Sequence, residues 1–460
     1  MALEVIDPST GEKVGEYEET PEEEIGTAIG LADRAFRDWS AVPIAERAEP
    51  MRKAAELLRG RAKEYARLMT TEMGKLAGDG EAEAEKCAWV CDYYAGNAAG
   101  FLADRPAGTD AAESFVTFRP LGVVYAVMPW NFPFWQVFRF AAPALMAGNG
   151  AILKHAPNVP GCALACAEVL AEAGFPEELF LPILVGPDRV EAVSRMVVKD
   201  DRVRAATLTG SDRAGSSLAG IAGAELKKTV LELGGSDPYL VLEDADLDAA
   251  ADTCVESRLI NSGQSCIAAK RFVVVEPVVE EFVERVVERM ASATVGDPSD
   301  PGTGIGPMAR EDLRDDLHRQ VERSVDMGAS LLLGGEVPDR SGWYYPATVL
   351  ADVTAGMPAY EEELFGPVAA IIAVDDEEAA IEVANDSRYG LGAAVFTRDV
   401  DRGREIAAGR LEAGACFVNA FVRSDPRLPF GGVKASGYGR ELSEFGIREF
   451  VNVKTVWVGE

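Results

Sequence analysis

Between residues 121 and 242, short continuous apolar runs rich in β-branched residues alternate with stretches of helical periodicity. This constrains the fold more than any other feature of the chain. Strands are predicted near 123–127, 151–154, 181–185, 205–208 and 229–233, and helices near 134–146, 161–172, 188–197 and 213–222. Runs that are apolar throughout, rather than at every second residue, belong to strands buried on both faces, which means a parallel sheet covered by helices on each side. Ligands of such sheets bind beyond the carboxyl ends of the strands. The alternation resumes over 243–435, with strands near 272–275, 330–333, 368–374, 393–396 and 415–418, so a second α/β domain is expected.

A chain of 460 residues is too long for one core. The expected division is a Rossmann-like parallel-sheet α/β domain from 1–101 and 121–234, a second α/β domain from 235–435, and an arm and tail from 102–120 and 436–460. Residues 22–100 are helical in period, led in by turn signals at Asp7-Pro8 and Thr10-Gly11. Residues 114–119 and 450–457 alternate apolar and polar residues, and the two segments can pair as a small β arm suited to oligomerisation. The 18-residue uncharged run 121–138 has the length of a membrane span, but Pro129, Asn131, Pro133 and Gln136 interrupt it, so it reads as a strand, a loop and a helix. With 45 basic against 76 acidic residues and a net charge of -31, phosphates are repelled, which argues against nucleic-acid and anionic-membrane partners. Such an excess suits a salt-rich cytosol, where counterions screen self-repulsion. The amino terminus lacks the basic and apolar regions of a signal peptide, and the seven scattered cysteines suit a reducing cytoplasm. The pairs Cys87/Cys91 and Cys162/Cys166 sit at helical spacing, where core packing is expected rather than a metal site, because only His155 and His318 could complete one.

One cysteine differs. Cys266, in Asn261-Ser-Gly-Gln-Ser-Cys266, follows a helical pattern over 247–259 and is preceded by small polar residues and Gly263. That setting suits an exposed thiolate, with Gly263 letting backbone N–H groups approach a ligand. A nucleophilic cysteine needs a base, and histidine is nearly absent, which disfavours a cysteine hydrolase. Glu232, in Leu231-Glu-Leu-Gly-Gly235, ends an apolar strand, where burial should raise its pKa into the range of a general base. Asn131, held in Pro129-Trp-Asn-Phe-Pro133, can aim its amide at a developing oxyanion or simply cap a turn. Gly302-Thr-Gly-Ile-Gly-Pro307 has the wrong spacing for a phosphate loop. Gly210-Ser-Asp-Arg-Ala-Gly215 does lie between a strand and a helix, where N–H groups can meet a phosphate, though it lacks the lysine of a P-loop.

Six segments in order, 129–133, Leu-Thr-Gly-Ser at 208–211, 232–235, 263–266, Glu-Glu-Leu-Phe-Gly-Pro at 362–367 and Pro-Phe-Gly-Gly-Val-Lys-Ala-Ser-Gly at 429–437, together resemble the aldehyde dehydrogenase superfamily. Lys154-His-Ala-Pro-Asn-Val159 and Gly234-Gly-Ser-Asp-Pro238 further resemble its compact bacterial succinate-semialdehyde type. The resemblance implies that Cys266 attacks an aldehyde, that Asn131 and the Cys266 N–H hold the oxyanion, and that Glu232 activates the water that hydrolyses the thioester. It implies a homodimer or homotetramer, and cofactor contacts at Trp130, Lys154, Gly186, Ser211, Glu363 and Phe365.

The cofactor is expected to be NAD or NADP. Three residues past Lys154, where many NAD-preferring relatives carry a ribose-binding Glu, stands Pro157, so no carboxylate repels a 2'-phosphate. For a substrate with its own carboxylate, Arg139 resembles the arginine that holds it. Ile260 occupies the place of a second arginine in larger relatives, and Arg423, Ser424 and Arg427 are candidates to compensate. The competing expectations are a dehydrogenase for another small aldehyde, a CoA-acylating relative, which generally lacks the base at Glu232, a cofactor-free cysteine hydrolase and a non-catalytic homologue.

Overall fold

The first alternating stretch folds as a six-stranded sheet in the computed structural model, which describes residues 2–459. Its spatial order is Gly437–Tyr438, Lys228–Glu232, Val203–Thr209, Val123–Met128, Gly150–His155 and Phe180–Ile183. All neighbours are parallel except the first pair. The chain builds outward from Val123–Met128 on one side, then returns to add Val203–Thr209 on the other. The carboxyl ends of these two strands therefore flank a switch-point crevice. The strands are buried on both faces, as their unbroken apolarity requires. One face packs on Ile44–Gly60, Ala62–Met73, Ala77–Phe101, Trp135–Ala147 and Pro160–Glu172, and the other on Glu22–Ala41, Val190–Lys199 and Asp212–Ala224.

The run 121–138 divides into the strand Val123–Met128, a loop and the start of the wholly buried helix Trp135–Ala147. Gly148, in the left-handed conformation at φ 99°, ends that helix. No helix among the described residues is long and apolar enough to cross a membrane. The strand expected over 181–185 stops at Ile183, because Leu184 turns to exchange hydrogen bonds with Thr20: Thr20 N–H donates to Leu184 O (2.8 Å) and Leu184 N–H to Thr20 Oγ1 (2.9 Å). Cys87, Cys91, Cys162 and Cys166 all lie in the helical core.

The second sheet has seven strands in the order Ser330–Leu333, Thr348–Ala351, Val368–Val374, Ala269–Val275, Asp237–Val241, Gly392–Phe396 and Ala415–Val418. Two of these, Asp237–Val241 and Thr348–Ala351, are absent from the patterning expectation. Asp237-Pro238 has the look of a turn, but the pairing with Ala269–Val275 shifts register between those two residues, which is where a strand tolerates a proline. The Asp237 carboxylate accepts Gly392 N–H (3.0 Å), fixing the neighbouring strand.

The tail splits between two units rather than forming one arm. Gly437–Tyr438 adds an antiparallel strand beside Lys228–Glu232, while Val451–Val458 pairs with Glu113–Pro120 over its full length. Phe430 ahead of them, and Leu442, Ile447 and Phe450 between them, pack into the helical core of the first domain. At the amino terminus Ala2–Asp7 and Glu12–Glu18 form a hairpin across the expected turn.

Candidate functional site

Helix Leu247–Leu259, N-capped by Asp246, spans the residues its periodicity predicts and delivers the chain to a left-handed turn. Asn261, Ser262 and Gly263 all have positive φ (55°, 56° and 79°), a conformation that Gly and Asn tolerate but that costs Ser about 1–2 kcal/mol. Neighbouring bonds hold it. Ser262 Oγ accepts Gly306 N–H (2.9 Å), Gln264 Oε1 accepts Ala309 N–H (2.9 Å), and the buried Arg258 donates to Gly263 O (2.6 Å). The role expected for Gly263, close approach to a ligand, is corrected: a Cβ there would strike the Gly366 carbonyl and lie 2.6 Å from Pro367 N. The glycine is needed to let the 362–367 segment pack on the turn.

Cys266 emerges from this turn half-buried, between two cavities. The first, about 210 Å³, is walled by Trp130, Asn131, Thr209, Ser211, Glu363 and Phe365 among others. The second, about 130 Å³, is walled by Lys86, Arg139, Ile260, Phe421, Arg423 and Ser424 among others. Cys266 and Gln136 line both. The expectation of an exposed thiolate is corrected here. Burial pushes the thiol up to about 12, although Lys270 and Arg139 pull the other way, so it rests as a neutral thiol.

Asn131 lies beside the thiol because the Asn261 side chain donates to its carbonyl (2.8 Å) and its own Nδ2 donates to Gln264 O (3.1 Å). One Nδ2 hydrogen remains for an incoming oxygen. The Cys266 N–H likewise has no partner among the described residues, so two residues that line the first cavity each keep a free N–H donor.

Glu232 ends its strand fully enclosed, and neither carboxyl oxygen has a hydrogen-bond partner. Burial, with the nearby Glu441 carboxylate adding to it, raises its pKa well above the carboxylate range. It does not line either cavity; a Cβ added at Gly431 would come within 2.7 Å of its Oε1.

Among the cofactor candidates, Trp130 meets Phe365 edge to face at 5.8 Å, and Glu363 accepts Gly235 N–H (3.1 Å) and pairs with Lys270 Nζ (3.2 Å). Ser211 caps helix Asp212–Ala224 by accepting Ala214 N–H (3.3 Å). These four share the first cavity. Lys154 and Gly186 lie outside it. Lys154 is buried at the end of strand Gly150–His155 with no anionic partner, and burial lowers it to about 8. Gly186 is covered by the Glu19 carboxylate.

The substrate candidates separate. Arg139 is buried, ion-paired with Glu441, and stands over the Phe430 ring, so its charge is already engaged. Arg423 and Ser424 line the second cavity. Arg427 does not, a correction with a plain cause: its guanidinium is bound to the adjacent Asp425 (2.6 Å) and lies over Trp89. Three residues of the site escaped the sequence reading. Lys270 donates to Ser265 O and Cys266 O (2.9 and 2.7 Å), and Glu441 has no local signal at all. Lys86 did leave a trace: it is a charge set in the helical stripe of Glu83, Cys87, Val90 and Tyr94.

The arrangement, a thiol between a crevice at a switch point and a cation-lined cavity, with free N–H donors on Cys266 and Asn131, is that of a covalent aldehyde oxidoreductase. The chain belongs to the aldehyde dehydrogenase family, whose pattern it matches over residues 1–456. It is 51% identical over the whole of both chains to a probable NADP(+) succinate-semialdehyde dehydrogenase of Synechocystis sp.. It is 49% identical, over 98% of this chain and 97% of the other, to the NAD(P)+ succinate semialdehyde dehydrogenase of Escherichia coli. The crystal structure of succinic semialdehyde dehydrogenase from Streptococcus pyogenes with NADP+ superposes over the full length of both chains with a TM-score of 0.96 at 38% identity.

Proposed function

We propose that this chain oxidises a small aldehyde carrying a distal carboxylate, of the succinate-semialdehyde class, to the corresponding acid, with NADP or NAD as acceptor. The observation that carries the reading is the position of Cys266 between the crevice of Trp130, Ser211, Glu363 and Phe365 and the cavity walled by Arg139, Arg423 and Ser424. The names of its relatives agree with it.

The residues fit a dinucleotide. Lys154 is a buried cation without a counter-ion, the nearby Asn158 amide is buried without partners, and Pro157 offers no carboxylate to repel a 2'-phosphate. When bound, the nicotinamide supplies the two-electron acceptor. Ser211 and the N-terminus of its helix suit the phosphates, and Glu363 with Phe365 the nicotinamide end.

The Cys266 thiol gives up its proton to solvent in the adjoining cavity as its sulfur bonds to the aldehyde carbon, and the carbonyl oxygen becomes an oxyanion that Asn131 Nδ2–H and the Cys266 N–H hold. Oxidation of this adduct leaves a thioester on the sulfur. Glu232 takes a proton from the water that adds to the thioester; the C–S bond breaks, and the acid and thiol are released. The carboxyl first has to rotate from Gly431 toward the sulfur, and a group that makes no hydrogen bonds rotates at low cost. The Arg423 and Ser424 end of the second cavity receives the distal carboxylate, while the Arg139–Glu441 pair braces its wall.

The chain assembles as a homodimer or homotetramer through the β arm, whose outer strand exposes Val453 and Trp457. Its seven free thiols suit a reducing cytoplasm. The test is the absorbance of reduced nicotinamide on adding succinate semialdehyde or butanal with each cofactor. Charge-assisted contacts predict that kcat/KM favours the semialdehyde by about 10- to 100-fold. Reduction with neither aldehyde, or equal rates with both, overturns the reading.

A further inference from the structure

Lys86 projects from helix Ala77–Phe101 into the cavity that Cys266 lines, and it differs from the other enclosed lysines. Lys75 pairs with Glu83, Lys270 with Glu363, and Lys227 with two carbonyl oxygens. Among the described residues, only Lys86 and Lys154 are withdrawn from solvent with neither a carboxylate nor a carbonyl on the ammonium group. Lys154 belongs to the cofactor candidates. Lys86 Nζ donates a single hydrogen bond, to Ser424 Oγ (2.8 Å), and stands 4.4 Å from the Trp135 ring centre. Two of its three hydrogens are left for a ligand.

The anions near it are taken. Glu83 accepts the Phe134 and Trp135 N–H groups besides pairing with Lys75, and Asp425 is bound by Arg427. The like charge of Arg139 lies close enough to reinforce burial in lowering the Lys86 pKa to about 8. A cation drawn out of water beside another cation is costly unless an anion arrives to compensate it. Much of the cavity wall is apolar, at Phe132, Trp135, Ile260, Ile267 and Phe421; no carboxylate lines it, and of its three cations Arg139 is already paired with Glu441, which leaves Lys86 and Arg423 for an entering anion.

We propose that Lys86 is the specificity-determining residue of this cavity: its ammonium, steadied by Ser424, binds the distal carboxylate of the aldehyde substrate and supplies the charge that Ile260 does not. The inference rests on the carboxylate-bearing substrate of the proposed function. It assigns that carboxylate to a lysine of the amino-terminal helices, with Arg423 at the exposed end of the cavity as an auxiliary cation.

The experiment compares wild type, Lys86→Met and Lys86→Arg in steady-state turnover of succinate semialdehyde and butanal. Methionine keeps most of the stem against Trp135 and removes the charge. The expected result for K86M is a loss of about 10- to 100-fold in kcat/KM for the semialdehyde, carried by KM, with butanal turnover preserved as the sign of an intact fold. K86R should recover much of the loss. If wild type prefers the semialdehyde and K86M retains that preference, or loses both substrates equally, the assignment to Lys86 is wrong while the substrate class stands. If wild type shows no preference, the substrate class and the Lys86 assignment fall together.

Discussion

Replacing Glu232 by Gln separates two consequences of burying an acid. The amide has nearly the shape of the protonated carboxyl, so the substitution removes the proton acceptor and the ability to ionise while leaving the packing intact. A positioned general base contributes about 10²–10⁴-fold, and steady-state kcat should fall by that factor. The first turnover requires Cys266 and Asn131 rather than Glu232, so each active site should still release one equivalent of reduced cofactor in a burst. Stability should move the other way. The folded-state pKa of Glu232 lies well above its unfolded value, so the native protein binds the extra proton. Its contribution is fully present below the unfolded pKa and is lost as pH rises through the folded one, by up to about 1.4 kcal/mol per pH unit. E232Q has no such loss at this position. It should match wild type in acid and exceed it in denaturant unfolding at about pH 8. Asp237, raised to about 6, titrates in both proteins and cancels in the comparison. Disappearance of the burst would place Glu232 in the acylation half of the reaction. An E232Q variant less stable than wild type at alkaline pH would refute the account of an unpartnered buried carboxyl.

Three further outcomes are expected. Gly263→Ala must place a Cβ against Gly366 at positive φ, and the conformational and overpacking costs together are about 2–5 kcal/mol; wild-type stability in denaturant would mean that the turn relaxes freely. Asn131→Ala removes one oxyanion donor and should lower kcat by about 10²–10³-fold with thermal stability nearly unchanged, and a change confined to KM would contradict the assigned role. Lys154, lowered to about 8, loses its charge as pH rises through that value; the KM for NADP should then climb between about pH 7 and 9 while that for NAD stays nearly level, and parallel curves would remove Lys154 from the 2'-phosphate contact.

Most of the first sheet and part of the second were legible because burial on two faces leaves a mark in the local sequence: strand Gly150–His155 and helix Trp135–Ala147 are buried along their whole length, although Asp237–Val241 and Thr348–Ala351, equally buried, were not read as strands. Helix Leu247–Leu259 was legible from its helical pattern. What escaped depends on contacts between distant segments. Nothing within ten residues of Gly263 indicates that Gly366 will pack on it, and the exposure of a thiol is decided by whatever covers it. Arg427 looked available because its partner Asp425, two residues away, did not enter the reading. Lys86 lies within the helical stretch 22–100 and was not singled out there, yet its side chain lines the cavity.

The same contacts explain why six short segments, each an ordinary turn on its own, mean more in combination. Gly210 N–H donates to Glu232 O (3.0 Å), tying the end of the 208–211 segment to the base. Leu233 N–H donates to Ser436 O and Ser436 Oγ to Gly234 O (3.0 and 2.6 Å), and a side chain at Gly437 would collide with the Leu231 carbonyl. Gly235 N–H donates to Glu363, and a Cβ on Gly235 would come within 2.7 Å of Cys266 O. Asn131 Nδ2 donates to Gln264 O, and Trp130 meets Phe365. Gly235, Gly263 and Gly437 are therefore set by backbone of, or next to, another segment, and the Asn131, Glu363 and Ser436 side chains are each tied to a carbonyl or N–H from another. A change in one displaces a functional group in a second, so the six constrain one another as a single structural unit spanning both domains and the tail. The requirement extends to Cys266 itself: its position is fixed by Gly263 resting on Gly366 and by Lys270 holding its carbonyl, two contacts that involve neither substrate nor cofactor.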